Sequence, residues 1–226
     1  MTEQDLRQMA VSTATGWMGA VKGSAAHKHI IDVYNTIKPL PRGVRMSYAM
    51  DWCAAFVSAV FQAAGLIDRI PAECSCGLMM MQAQARRIWV EEDGYHPQVG
   101  DLVLYDWQDD GRGDNLGAPD HVGIVTAVSH DGFQVVEGNM GNPSRVGTRN
   151  LAFNARYIRG FICPDFSTKT EQNNPTETPW YSEAMEWCKD REIMDGTRPL
   201  DTLTRAEAAT IIKRTVEYIE KTVRRE

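Results

Sequence analysis

The chain has 226 residues, 43% of them hydrophobic and 24% charged, and carries a net charge of -6. Its length suits one domain of about 160 residues with a small appendage, and its apolar content is that of an ordinary globular protein. The acidic balance, with no basic stripe interleaved with aromatics, argues against a nucleic-acid partner, and no apolar run approaches the ~20 residues that would insert into a bilayer.

Met1 to Arg7 lacks a basic region followed by an apolar run, so no signal peptide is expected and synthesis in the cytoplasm is. The five cysteines, at 53, 74, 76, 163 and 188, are odd in number and scattered, which fits a reducing compartment better than a disulfide framework. Residues 3 to 22, with Leu6, Met9, Ala10, Ala14, Trp17 and Met18, predict an amphipathic helix; 24 to 36 predict a second, opened by Ser24 as N-cap. His27 and His29 are two apart and fall on different faces of it, so they read as solvated or capping residues rather than a metal pair.

After the rigid loop Pro39 to Gly43 and Tyr48, a third helix is predicted from the spacing of Phe56, Val57, Val60, Phe61 and Ala64, ending at Gly65. Cys53 then occupies its first turn, where unpaired N–H groups and the positive end of the helix dipole favour a thiolate. A small buried hydrophobe is the alternative reading of the same residue. Cys74 and Cys76 come next, in a loop; no second pair at zinc-like spacing comes after them, so they read as free thiols or groove-lining residues. Leu78 to Trp89 is expected to be helical, its methionine run filling core.

Thereafter the period changes to two, with strands expected at 101 to 107, 121 to 129, 133 to 138 and 156 to 163. Helices first and an antiparallel sheet afterwards make an α+β fold. The acidic, glycine-rich segment Asp106 to Asn115 lacks calcium-loop spacing and reads as a solvated loop beside the site, with no metal assigned.

His121 opens the second strand, and Glu137 and Asn139 lie on the third. With His130-Asp131-Gly132 as a three-residue turn, 125 pairs with 137, 123 with 139 and 121 with 141, which projects His121, Glu137 and Asn139 to one face. In that register Asn139 is diagonal to His121 and Glu137 lies farther off. A cysteine at a helix start, then a histidine, then a polar orienter is the order of a thiol hydrolase.

Trp52-Cys53-Ala54-Ala55-Phe56-Val57, Gly100-Asp101-Leu102-Val103, Asp120-His121-Val122-Gly123-Ile124-Val125 and Glu137-Gly138-Asn139 together resemble, over about residues 5 to 163, the CHAP family of amidohydrolases and peptidases that cut bacterial peptidoglycan. The resemblance implies a papain-like fold with N-terminal helices on a small antiparallel sheet, and no cofactor. It implies Cys53, His121, Glu137 and Asn139 as the catalytic set, with Tyr48, Trp52 and Asp120 against substrate. Some relatives bind calcium before the cysteine, but residues 38 to 50 contain no acid, so that site is not expected. The scissile bond is either the N-acetylmuramoyl-L-alanine amide or a peptide bond. A phage or prophage endolysin released by a holin-type or other route is the expectation. An autolysin, an interbacterial toxin amidase and an inactive wall-binding module are the alternatives.

Residues 1 to 164 therefore form the expected catalytic domain and 165 to 179, rich in Thr, Asn, Pro and Glu, a linker. Residues 180 to 226 form a helical unit whose second helix is opened by a capping box at Thr204 and Glu207. Trp180-Tyr181, Ala184, Trp187, Gly196 and Leu203 to Ala208 resemble a single S-layer homology repeat. That resemblance implies binding to wall polysaccharide; a unit so small can equally serve to form a homo-oligomer or dock on the catalytic domain.

Overall fold

A computed structural model describes residues 1–112, 114–167, 182–194 and 205–223. The chain divides into two compact units, Met1–Thr168 and Lys169–Glu226. The first holds helices α1 (Glu3–Gly16), α2 (Ala25–Tyr34), α3 (Cys53–Ala63) and α4 (Cys76–Ala85). Its strands are β1 (Trp89–Val90), β2 (Leu102–Tyr105), β3 (His121–Val128), β4 (Phe133–Met140), β5 (Arg145–Leu151) and β6 (Ile158–Ile162). They form one antiparallel sheet in the order β1-β6-β2-β3-β4-β5. The expected α+β architecture, helices first and an antiparallel sheet afterwards, is the one observed.

The first two helices begin where side chains can satisfy their free N–H groups. Thr2 and Asp5 form a reciprocal capping box on α1, and Ser24 accepts from the backbone of His27 on α2. Helix α1 ends at Gly16, short of the predicted end at Lys22, because Gly16 and Gly19 break it and β5 captures the residues beyond. Gly19 and Lys22 donate to the carbonyls of Val146 and Ser144, and Val146 donates back to Ala20. Helix α3 differs from these: it has no side-chain cap, and every residue from Cys53 to Phe61 is buried. Burying Phe56, Val57, Val60 and Phe61 stabilises the fold by about 1.5–3 kcal/mol for each side chain.

Alternation along the strands gives the sheet two buried faces. Leu102, Leu104, Val122, Ile124 and Val136 pack with α1 to α4, whereas Val103, Tyr105, Val125, Val135 and Phe161 pack beneath Tyr95 and Phe153. Gly138 belongs to the helix-facing set. A Cβ there would lie 2.5 Å from that of Phe56, so the missing side chain lets α3 lie close against β4.

The β3–β4 hairpin departs from the predicted register. Val128 pairs with Phe133 across the four residues 129–132, and a bulge at Thr126 shifts the pairing so that Val125 meets Val135 and Ile124 meets Val136. Position 125 was expected opposite 137, so the strands are offset by two residues. Without the bulge, the four-residue loop would have put His121 and Glu137 on opposite faces; the extra residue restores them to one. Strand β5 was not predicted at all, since its sequence, RVGTRNL, has few apolar positions.

In the second unit, α5 (Ser182–Asp190) and α6 (Arg205–Val223) pack through Trp187 and Tyr218, with the Arg191 guanidinium 4.2 Å over the Trp187 ring. Most of the predicted linker, and Trp180, Tyr181, Gly196, Leu203 and Thr204 of the repeat-like pattern, lie outside the described residues. Among the described residues no helix is long and apolar enough to cross a membrane.

Candidate active site

The starts of β3 and α4 meet at the first residue of α3. Cys53 sits at the helix start with its Sγ 3.9 Å from the carbonyl of Asp120, which immediately precedes β3. His121 is the first residue of β3, so its ring comes around the end of the strand to the side of Cys53, close enough for each to shift the other's titration. The imidazole Nε2 lies 3.0 Å from Glu137 Oε2, leaving Nδ1 for the sulfur.

Glu137 is wholly buried and fully satisfied. It accepts from Tyr105 Oη at 2.8 Å and, as a fork, from Arg149 Nε at 2.8 Å and Nη2 at 3.0 Å. Gly123 makes room for it, since a Cβ there would fall 2.7 Å from the Glu137 Cγ. Tyr105, His121, Glu137 and Arg149 therefore form one polar cluster on the sheet face away from the helices, open at the strand ends. Trp107 stacks on Tyr105 with ring centroids 4.8 Å apart, and its ring lies 5.1 Å from the Arg149 guanidinium and 5.9 Å from the His121 ring.

The electrostatics favour a thiolate–imidazolium pair. A hydrogen bond from Cys76, whose Sγ is 3.6 Å away, does most to hold the Cys53 thiol well below its ordinary range; burial opposes this, and His121 adds to it. The Cys76 thiol is pushed up by the same contact and by burial, so Cys76 stays protonated and donates. Burial disfavours charge on His121, but hydrogen bonds to Cys53 and Glu137 outweigh it and raise its pKa to about 9. Glu137 is likewise opposed by burial, yet His121 and Arg149 hold it below the usual carboxylate range.

Of the residues singled out from sequence, Cys53, His121 and Glu137 are brought together and Asn139 is not. Asn139 stands in the left-handed region, φ 57°, at a break in β4–β5 pairing. Its side chain donates to Asp51 Oδ1 at 3.2 Å and accepts from Ser144 at 2.7 Å, so Glu137, expected to be the more distant partner, is the one that holds the ring.

Trp52 is corrected too. Its ring is fully buried, 4.7 Å from His27, and its indole N–H donates to Ser144, so it supports the entry to α3 and presents no surface to substrate. Tyr48 is exposed, with its hydroxyl tied to Asp32 on α2 at 2.9 Å. Asp120 is exposed as well, and its carboxylate accepts from the Trp107 backbone at 2.9 Å, so it braces the aromatic lip of the site.

Sequence reading missed Arg149 and Trp107, and left Cys76 without a partner. Tyr105 lay inside a predicted strand, and pairing position 105 with 121 would have found it. Nothing local marks Arg149, because its strand was not legible. Among the described residues no group of three or more His, Cys, Asp or Glu side chains is arranged to hold a metal ion.

Residues 44–139, less than half of the chain, match the CHAP domain family. No curated protein matches. Among solved structures, an NlpC/P60 family protein from Bacillus cereus ATCC 10987 is similar at 18% identity and a TM-score of 0.33, over 49% of this chain and 30% of that one. Ly7917 is similar at 16% identity and a TM-score of 0.36, over 70% and 62%. Ly7917 with the hydrolyzing product of MDP is similar at 19% identity and a TM-score of 0.34, over 61% and 62%. The chain spans less than two thirds of the length of each.

Proposed function

We propose that the protein is a cysteine-dependent peptidoglycan hydrolase. The observation that carries this reading is the convergence of Cys53, at an uncapped helix N-terminus, with the His121 ring and with the Glu137 carboxylate 3.0 Å from that ring, within the CHAP-matching segment. The Cys53 thiolate attacks an amide carbonyl of the wall. Backbone N–H groups of the first turn of α3, which no side chain occupies, take the developing oxyanion. The imidazolium gives its proton to the departing amine, leaving a thioester on Cys53. The neutral ring then takes a proton from water as the water oxygen attacks the thioester carbonyl, and breaking of the C–S bond frees the acid product and restores the Cys53 thiolate beside the imidazolium.

Glu137 keeps the ring oriented and cationic, and Arg149 with Tyr105 keeps Glu137 ionised without a shell of water. Peptidoglycan is the substrate under this reading, and the bond cut is the N-acetylmuramoyl-L-alanine amide or a bond of the stem or cross-bridge. Mass spectrometry of fragments from defined walls identifies it. An endolysin is the biological setting we favour, with the second unit serving wall attachment or self-association. Cys53→Ala should lower the rate of turbidity loss on purified walls by roughly three orders of magnitude or more, since residues that act as a unit fail together. Retained activity in that variant sinks the reading.

A further inference from the structure

Cys53 and Cys76 are each the first residue of a helix, α3 and α4, and their sulfurs stand 3.6 Å apart. The loop before α4 is sewn to α3. Ser58 of α3 exchanges hydrogen bonds with the Glu73 backbone at 2.7 and 2.9 Å. The buried Glu73 carboxylate accepts from the backbone of Cys74 and Ser75 and from both Arg42 Nε and Nη2. Cys76 is thus held against Cys53 by the contacts of the loop between α3 and α4.

A disulfide needs the sulfurs to close from 3.6 Å to about 2.05 Å, a movement of roughly 1.5 Å. The choice of partner is also settled by contacts. Cys74 is turned to Arg42 at 3.5 Å, and Cys163 lies 3.0 Å from the Tyr95 hydroxyl.

We propose that Cys53 and Cys76 form a reversible disulfide on exposure to a hydroperoxide, which makes the pair an oxidative off-switch built into the site. This rests on the reading of Cys53 as nucleophile. The Cys53 thiolate attacks the peroxide oxygen, the O–O bond breaks, and Cys53 becomes a sulfenic acid while alkoxide or hydroxide leaves and takes a proton. Cys76 then attacks the sulfenic sulfur and its proton departs with the hydroxyl as water. The two sulfurs together lose two electrons, which the peroxide has accepted, and a dithiol returns them. Cys53 is only 8% exposed and Cys76 7%, so a sulfenic acid formed on Cys53 lies against the Cys76 sulfur, and capture by that thiol competes with further oxidation.

The test treats the reduced full-length chain with hydrogen peroxide, alkylates the remaining thiols and maps peptides by mass spectrometry, with activity on purified walls measured before and after dithiothreitol. The expected result is a cross-link between the peptides holding Cys53 and Cys76, loss of activity, and recovery of both the free thiols and the activity with dithiothreitol. In Cys76→Ala, peroxide should drive Cys53 to sulfinic acid, and dithiothreitol should restore nothing. If that variant does not fold, the map of the native chain decides alone. Cys53 overoxidised while Cys76 remains alkylatable overturns the pair, whatever Cys53→Ala has shown of the nucleophile. A cross-link that leaves hydrolysis intact overturns the switch and the nucleophile reading together.

Discussion

His121 is the residue whose charge state couples the rest of the site. Its pKa, raised to about 9, exceeds that of the Cys53 thiol, which is held well below its ordinary range, so the reactive ion pair exists between the two. Under the proposed mechanism, below the window the thiol is protonated and cannot attack, and above it the ring is neutral and has no proton for the leaving amine. The pH profile of kcat/KM on walls is therefore expected to be bell-shaped, with its alkaline limb near 9. Glu137→Gln removes an anion that favours the imidazolium, so the alkaline limb should move to lower pH, by about one unit. A limb that stays in place while the rate falls would mean that Glu137 orients the ring without tuning it.

At the scale of elements, catalysis under this reading depends on how closely α3 lies against β4, because Cys53 rides on one and Glu137 on the other. Gly138 sets that spacing. In Gly138→Ala the new methyl would meet Phe56 Cβ at 2.5 Å and Cγ at 2.6 Å, both parts of a fully buried side chain. The helix must move outward, at a cost of about 1–3 kcal/mol in unfolding free energy. A displacement of the sulfur approaching about 1 Å would lower kcat/KM by about a hundredfold. Chemical denaturation and wall-lysis rates check the two halves of this prediction separately. The Thr126 bulge acts at the same scale, since the face on which His121 emerges is a property of strand register and of no single side chain.

At the scale of the whole molecule, Met1–Thr168 contains the sheet, both of its packed faces and the entire candidate site. The second unit has a different character. Ile212, Val216 and Ile219 recur at helical spacing on α6 and are 64%, 48% and 53% exposed. A chain ending at residue 168 is expected to keep its rate on a soluble muropeptide and to lose rate on intact walls, as the proposed attachment role requires. Parallel assays on the two substrates check this, and an equal fall on both would instead assign the second unit to the stability of the first.

The sequence by itself determined what depends on neighbours along the chain. Apolar spacing marked α3 and put Cys53 at its start, period-two alternation marked β2 to β4 and β6, and the motifs pointed to His121 and Glu137. Only the tertiary structure decided which polar side chain meets the imidazole, because a one-residue bulge shifts the register and a left-handed backbone at Asn139 turns its amide toward Asp51. Tertiary structure likewise brought in Arg149, from a strand with few apolar residues, and Cys76, from a different helix. Local patterns record how each segment buries its own side chains. Partnerships across the sheet and between helix ends arise from packing, which no single segment encodes.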